Sequence, residues 1–176
     1  NGVIDRTGGD FYLEGLKFHG GQNAFLIRNE AAAGDHTKGT VQTKDCEFSY
    51  SGEDACDQQG AWDILHDTPL SKHSATDGLA YAKYNQDCGT FIEINATCYR
   101  NGYSATSANN CSTHHDTWAG IRVGSYYHHA QDRNIHDVGS GGTWMMGCRS
   151  EYSLNNGGND HNYVINDYAM YLDCCT

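Results

Sequence analysis

Short apolar stretches recur along this chain, and each is interrupted at the same point by a small or polar residue. An apolar lead-in meets Gly, Asp or Asn, a small or apolar residue follows, and most stretches continue into a loop rich in Gly, Asn and Ser. Six segments follow this pattern: residues 13–18, 43–48, 94–99, 122–127, 145–150 and 171–176. A repeat of this length indicates a solenoid, in which stacked units bury apolar faces that no unit can bury alone.

The residue after each interruption defines a register. It is occupied by Leu16, Cys46, Ala96, Ser125, Cys148 and Cys175. The steps between them are 30, 50, 29, 23 and 27 residues, and we interpret the step of 50 as one ordinary coil that carries a large insertion. These six residues are expected to form one column inside the solenoid, with Phe18 and Phe48 in a neighbouring column.

Runs rich in Ile, Val, Phe, Tyr and Thr predict short strands, and no window of ten residues has convincing helical periodicity. The predicted strands are residues 11–18, 24–28, 40–48, 79–84, 90–99, 120–127, 134–138, 143–150, 162–166 and 168–175. Three short parallel strands per coil predict an all-β, right-handed parallel β-helix over residues 1–176. Segments 52–76 and 102–117 are predicted as protruding loop insertions. Because a register residue lies next to the last position without a polar cap, we expect a piece of a longer chain or an oligomer subunit.

Composition and net charge exclude some classes of binding partner. The 176 residues include 21 Gly, 12 Tyr, 10 His and 8 Cys, and 11 basic against 22 acidic residues give a net charge of −11. This charge argues against nucleic acid, and the lack of an 18-residue apolar run argues against membrane insertion. The register cysteines are expected to be free and buried, although Cys56–Cys88 and Cys98–Cys111 bridges stay open alternatives.

Several segments resemble the right-handed parallel β-helix repeat proteins of bacteria and phages, within the pectate-lyase-like superfamily. They are residues 77–81, 114–116, 120–127, 134–138 and 170–175. The resemblance covers roughly residues 10–176 and implies the fold, whereas the superfamily includes lyases, glycosidases, epimerases, tailspikes and adhesins. We expect a glycan-binding module of the tailspike or adhesive-fibre type, located extracellularly or on a virion surface. The alternatives are a polysaccharide-processing enzyme (lyase, epimerase or glycosidase) and a filament subunit that stacks through its ends.

A series of Asp and His residues near the third strand of successive coils is the candidate for chemistry. It consists of Asp77, His115, Asp116, His136, Asp137, Asp160 and His161. Stacked coils lie about 4.8 Å apart, so equivalent side chains come within mutual reach. Asp116 and Asp137 are predicted as catalytic carboxylates and His115 and His136 as proton carriers. Asp77, Asp160 and His161 are predicted as metal ligands, with calcium as the cofactor to test. The alternative is that these residues satisfy turn amides.

Exposed aromatic residues are the candidate glycan contacts, because their rings stack on sugars while their polar edges stay in water. Tyr103, Trp118 and Tyr126 are predicted in this role. The expected partners are therefore a polysaccharide or cell-surface glycan and further copies of the same chain.

Overall fold

The computed structural model describes residues 2–5, 10–28, 39–60, 63–81, 88–104, 110–115, 117–138, 141–153, 163–166 and 170–176. Every regular element in these ranges is a β-strand. Within them no helix has the length and apolar character that a membrane span requires.

The strands are short and follow one another with tight turns. In chain order they are β1 (Gly2–Asp5), β2 (Phe11–Glu14), β3 (Lys17–His19), β4 (Phe25–Arg28), β5 (Thr40–Lys44), β6 (Glu47–Ser49), β7 (Cys56–Gln59), β8 (Asp63–Asp67), β9 (Leu70–Lys72), β10 (Leu79–Tyr81), β11 (Cys88–Ile94), β12 (Thr97–Tyr99), β13 (Ser112–His115), β14 (Thr117–Val123), β15 (Tyr126–His128), β16 (Ile135–Val138), β17 (Thr143–Met146), β18 (Arg149–Glu151), β19 (Tyr163–Asn166) and β20 (Met170–Asp173).

These strands form three parallel sheets along one solenoid. Sheet A has the order β1-β4-β7-β10-β13-β16-β19, sheet B the order β2-β5-β8-β11-β14-β17-β20, and sheet C the order β3-β6-β9-β12-β15-β18. Each strand therefore pairs with the strand three places later in the chain. The predicted parallel β-helix with three strands per coil is confirmed.

The turn from sheet B to sheet C passes through one residue in the left-handed backbone region in every coil. These residues are Gly15, Asp45, Thr68, Asn95, Gly124, Gly147 and Cys174, with φ between 50° and 65°. Gly, Asn and Asp tolerate this conformation better than other residues, which is why the sequence repeat is visible at these positions.

The sequence repeat does not predict one of the coils, because the residues at its turn do not fit that pattern. Thr68 adopts φ 53°, and Pro69 follows it in the register position. Residues 52–76 contain β7, β8 and β9, which form a complete coil between their neighbours. The interpretation of the 50-residue step as one coil with an insertion is therefore wrong. Similarly, segment 102–117 is not all loop, since β13 begins at Ser112.

Most of the predicted register column lies inside the solenoid. Cys46, Ala96, Ser125 and Cys148 are each 1% exposed. Leu16 is exposed, because it belongs to the first described coil and has a described neighbour on one side only. Cys175 is partly buried and packs against the core. The adjacent column is also present, since the rings of Phe18 and Phe48 stack with centroids 5.6 Å apart.

All eight cysteines are free thiols, and six of them are buried. Neither of the two disulfides left open by the sequence is formed. Cys111 Sγ instead lies 3.3 Å from the carbonyl oxygen of Cys98, and Cys88 Sγ lies 3.3 Å from that of Gln58. Cys88 and Cys111 act as small core side chains with a weak donor, although neither lies in the register column.

Replacing Gly78 by Ala should destabilise the solenoid. A Cβ at this position would lie against the Asn101 amide nitrogen and the Cys111 carbonyl oxygen, closer than the 3.0 Å that real Cβ atoms respect. We expect the Gly78→Ala free energy of unfolding to fall by about 1–3 kcal/mol in chemical denaturation. Gly52→Ala is the matched control, because its nearest neighbour is the Gly21 carbonyl oxygen at 3.4 Å. Equal stability of the two variants would contradict this packing.

Candidate functional site

The predicted Asp/His series does not form one accessible face. His136 and Asp137 are neighbours in β16, so their side chains point to opposite sides of sheet A. Asp137 is fully buried inside the solenoid, whereas His136 is half-buried on the outer side. The expectation that Asp137 joins His136 in a substrate-accessible site is wrong, because strand alternation separates them.

Asp137 instead belongs to a buried charge network around Arg122. Both side chains are 0% exposed, and Arg122 donates from both terminal nitrogens to the Asp137 carboxylate, with Nη2–Oδ1 at 2.8 Å. A second carboxylate, that of Glu93, lies 3.7 Å from Arg122 Nε. Glu93 accepts hydrogen bonds from the hydroxyls of Ser112 and Tyr127. Buried charges persist when they are paired and hydrogen-bonded in this way.

His114 and two threonines complete the surroundings of Asp137. His114 Nε2 lies 3.4 Å from Asp137 Oδ2, and the Thr143 hydroxyl donates to the same oxygen at 3.1 Å. The Thr117 hydroxyl lies 2.8 Å from His114 Nδ1. Burial alone would raise the pKa of Asp137, but the charge of Arg122, helped by His114, holds this pKa well below its usual range. Asp137 therefore stays ionised and holds the interior together.

Asp77 takes part in a column of Asn and Asp side chains that links successive coils. Asn23 Oδ1 accepts the backbone N–H of Asp54 at 3.1 Å, and Asp54 Oδ1 accepts that of Asp77 at 2.9 Å. Asp77 Oδ1 in turn accepts the backbone and side-chain N–H groups of Asn110, each at 2.9 Å. The geometry fits the alternative in which the side chain satisfies turn amides.

The metal hypothesis finds no cluster in the described ranges. There, no group of three or more His, Cys, Asp and Glu side chains is arranged to hold a metal ion. The side chain of His115 and the residues Asp116, Asp160 and His161 lie outside the described residues. Their roles, and calcium as the cofactor, stay predictions.

The three predicted glycan contacts lie on two different surfaces of the solenoid. Trp118 is 60% exposed in β14 of sheet B. Tyr126 is half-buried on the outer face of sheet C, where its hydroxyl donates to Glu151 at 2.8 Å. Tyr103 is 62% exposed in the turn after β12, and its hydroxyl donates to the Ser51 carbonyl oxygen. Sheet C and its following turn therefore hold two of the three, and Trp118 is separate.

Aromatic and imidazole rings from consecutive coils lie against one another along the edge of sheet C. We call this array the ring ladder; it consists of His19, Tyr50, His73, Tyr99, His128, His129 and Tyr152. The centroid distances along it are 4.7, 4.8, 5.7, 5.1, 5.0 and 5.2 Å in that order. Contacts at the spacing of the coils make it one continuous array.

The ring ladder shares four residues with a second column of left-handed residues, one at the end of each sheet C strand. This column is Gly20, Tyr50, His73, Arg100, His129 and Tyr152, with φ between 53° and 79°. Bulky residues adopt positive φ at an energetic cost, and such strain concentrates at functional positions. Each member follows the first turn residue of its coil by five positions, so this fixed spacing is a signal in the sequence from which the column could have been predicted.

The outer face of sheet C with this turn is cationic, although the whole chain carries −11. Its charged residues are Lys17, Lys72, Arg100 and Arg149 against Glu47 and Glu151. Lys17 and Lys72 both pair with Glu47, at 3.2 and 2.9 Å. Within the described part of the chain, no carboxylate forms an ion pair with Arg100. We call the ring ladder together with these charged residues the sheet C stripe.

Two histidines of the stripe are held neutral at pH 7. Burial lowers the pKa of His73, and the charges of Arg100 and Lys72 lower it further. Burial likewise lowers the pKa of His128, with a further contribution from His129. Acidification below the ordinary histidine range therefore adds positive charge to a surface that is already cationic.

Comparison with known proteins adds no assignment. No family model matches the chain, and no curated protein or solved structure is significantly similar to it. The class defined by the fold alone is a parallel β-solenoid.

Proposed function

We propose that the chain is a glycan-binding β-helix module of the tailspike or adhesive-fibre type, related to the pectate-lyase-like superfamily, and that the sheet C stripe binds an acidic polysaccharide. The observation that carries the proposal is the concentration of basic residues and polar rings on one face of a strongly acidic chain. An extracellular or virion-surface location is part of the same proposal, since extended acidic glycans are found there.

The geometry of the ring ladder supports an acidic ligand over a neutral one. Tyr50 and His73 lie 18° from parallel, and Tyr99 and His128 lie 9° from parallel. In these two stacked contacts the rings use their faces on one another and turn their edges outward, whereas the His73–Tyr99 and His128–His129 contacts are edge-to-face. Aromatic edges carry partial positive charge, and imidazole N–H and tyrosine O–H groups are donors, so such edges favour carboxylate or sulfate oxygens.

The length of the stripe supports a polymer over a small molecule. The ring ladder extends from β3 to the turn after β18, over all six strands of sheet C. At about 4.8 Å per strand this is roughly 24 Å, which suits an extended chain of sugars. Arg100 lies near its middle with its guanidinium available.

The enzymatic alternative has lost one of its proposed residues. Asp137 is buried and paired with Arg122, so it cannot touch a substrate. His136 remains on the outer side of sheet A, and the other two catalytic candidates are not described. No observation in the described residues favours this alternative over binding.

The proposal predicts that Arg100→Gln weakens binding to polygalacturonate, an acidic polymer, about fivefold at low salt. An exposed charged contact contributes on the order of 1 kcal/mol, and Gln keeps a polar side chain while removing the charge. Isothermal titration calorimetry measures the affinity. Added salt should reduce the difference between the two proteins, because exposed charges are screened.

Arg133→Gln is the matched control. It removes one positive charge from a side chain that pairs with Asp132, in the turn between β15 and β16 and outside the residues of the sheet C stripe. We expect it to change the affinity little. Neutral dextran should not bind either protein. Binding of polygalacturonate should strengthen as the pH falls below the ordinary histidine range, where His73 and His128 gain charge. Equal losses in both variants, or equal binding of dextran, would overturn the sheet C stripe as the site.

A further inference from the structure

The outer face of sheet B is apolar over its central strands, which is unusual for a side that faces solvent. The apolar face consists of Ile92, Ile94, Ile121, Val123, Trp144 and Met146. These residues alternate with buried ones along β11, β14 and β17, so their side chains point outward. Trp144 is 39% and Met146 38% exposed. Parallel sheets are normally covered on both sides, and a contiguous apolar patch marks an interaction surface.

We propose that this face is the interface of a homodimer, in which two copies pack sheet B against sheet B about a two-fold axis. The axis runs parallel to the strands and passes between β11 and β14. Such an operation keeps the position along the strands and reverses the strand order, so β11 faces β14 of the second copy, β8 faces β17, and β5 faces β20.

The strand register makes this arrangement self-complementary in its apolar contacts. Ile92 pairs with Ile121, and Ile94 pairs with Val123, in the parallel register of one chain. Across the proposed axis, Ile92 therefore meets Ile121 of the second copy and Ile94 meets Val123. Leu65 occupies the same register position as Trp144, so these two also face each other. A two-fold interface requires this self-matching of one patch.

The same operation brings opposite charges together at the edges of the face. Lys44 in β5 and Asp173 in β20 share one register position through the intervening strands. Lys44 pairs with Glu14 of its own chain at 3.5 Å, and each copy would also place it opposite Asp173 of the other, so that two such charge contacts flank the apolar centre. Asp67 in β8 occupies the same register position, next to Lys44. Its carboxylate accepts a hydrogen bond from the Thr68 hydroxyl at 3.0 Å. Charge complementarity of this kind fixes the register of an interface.

The area that the two copies can bury gives a first expectation for the affinity of the dimer. Six strands at about 4.8 Å and five residues at about 3.3 Å cover roughly 29 Å by 17 Å, on the order of 500 Å² per copy. Standard stable interfaces bury about 800 Å² per partner. The dimer is therefore expected to dissociate in the micromolar range.

Sedimentation velocity from low micromolar to near-millimolar concentration tests the proposal, with reductant present because Cys174 is exposed. The wild type should show a reversible monomer–dimer equilibrium. Ile121→Asp, which places a charge beside the axis, should weaken the dimer at least tenfold, or about 1.4 kcal/mol. Tyr152→Asp, at an exposed position away from sheet B, should have no effect.

A charge reversal keeps the test independent of folding. Lys44→Glu alone should weaken the dimer severalfold, and Lys44→Glu combined with Asp173→Lys should restore it, because both residues are exposed and meet only across the axis. A monomer at every concentration would overturn the proposal. So would association that Ile121→Asp leaves intact, as end-to-end stacking predicts, or a double variant no stronger than Lys44→Glu.

Discussion

Arg122→Met should be close to unfolded at room temperature. The substitution removes the guanidinium that contacts both Asp137 and Glu93 and leaves two carboxylates inside the solenoid. Breaking a buried ion pair by removing one partner costs about 3–5 kcal/mol, a large part of a typical stability of about 5–15 kcal/mol. Circular dichroism in increasing urea measures the loss. Asp137→Asn in the Arg122→Met background should recover part of it, because one of the uncompensated charges disappears.

Arg149→Met is the control for this prediction. Arg149 also binds a carboxylate, that of Glu151, but its side chain is 60% exposed. Exposed ion pairs contribute about 0–1 kcal/mol, so this variant should be nearly as stable as the wild type. If Arg122→Met were equally stable, the charged groups of the network would have to be reached by water, contrary to their burial.

The coil architecture could be predicted because the turn residue repeats. Gly15, Asp45, Asn95 and Gly124 are residue types that favour positive φ, and the residue after each is small or apolar. Such a pattern states both where the chain turns and which side chain points inward. The coil with Thr68 could not be predicted in this way, because a β-branched residue is among the least expected types at positive φ. The neighbouring coils impose this conformation on Thr68.

The candidate site was harder to predict because it depends on alternation and on distant coils. His136 and Asp137 are adjacent in sequence, and a shift of one residue decides which of them faces the interior. The sequence predicts that His136 and Asp137 act in one site, whereas the strand points their side chains to opposite sides of sheet A. The role of Arg122 could not be predicted, because nothing in its neighbourhood in sequence reveals that Glu93 and Asp137 meet it inside the solenoid.

A second buried polar group lies in the N-terminal half of the interior and makes stability depend on pH. His66 is 0% exposed, with Nδ1 at 2.5 Å from the Thr43 hydroxyl and Nε2 at 2.6 Å from the Gln58 amide nitrogen. Both ring nitrogens therefore lie within hydrogen-bonding distance of neutral partners. Burial lowers the pKa of His66 to about 3.

Acidification should therefore destabilise the protein before its carboxylates titrate. The pKa of His66 is lower in the folded state than the ordinary value of about 6.5, so the unfolded chain binds the extra proton and stability falls as pH drops from 6.5 towards 3. Between pH 6.5 and 4.5 the loss attributable to His66 is roughly 2 kcal/mol. Urea titrations at a series of pH values measure this loss in the wild type and in His66→Phe.

The variant is expected to be less stable at pH 7, since Thr43 and Gln58 lose a partner, but its stability should depend less on pH over this interval. The half-buried His73 and His128 contribute to both proteins alike, so the difference between the two slopes isolates His66. Parallel pH profiles would mean that His66 is reached by water or is already charged in the folded solenoid.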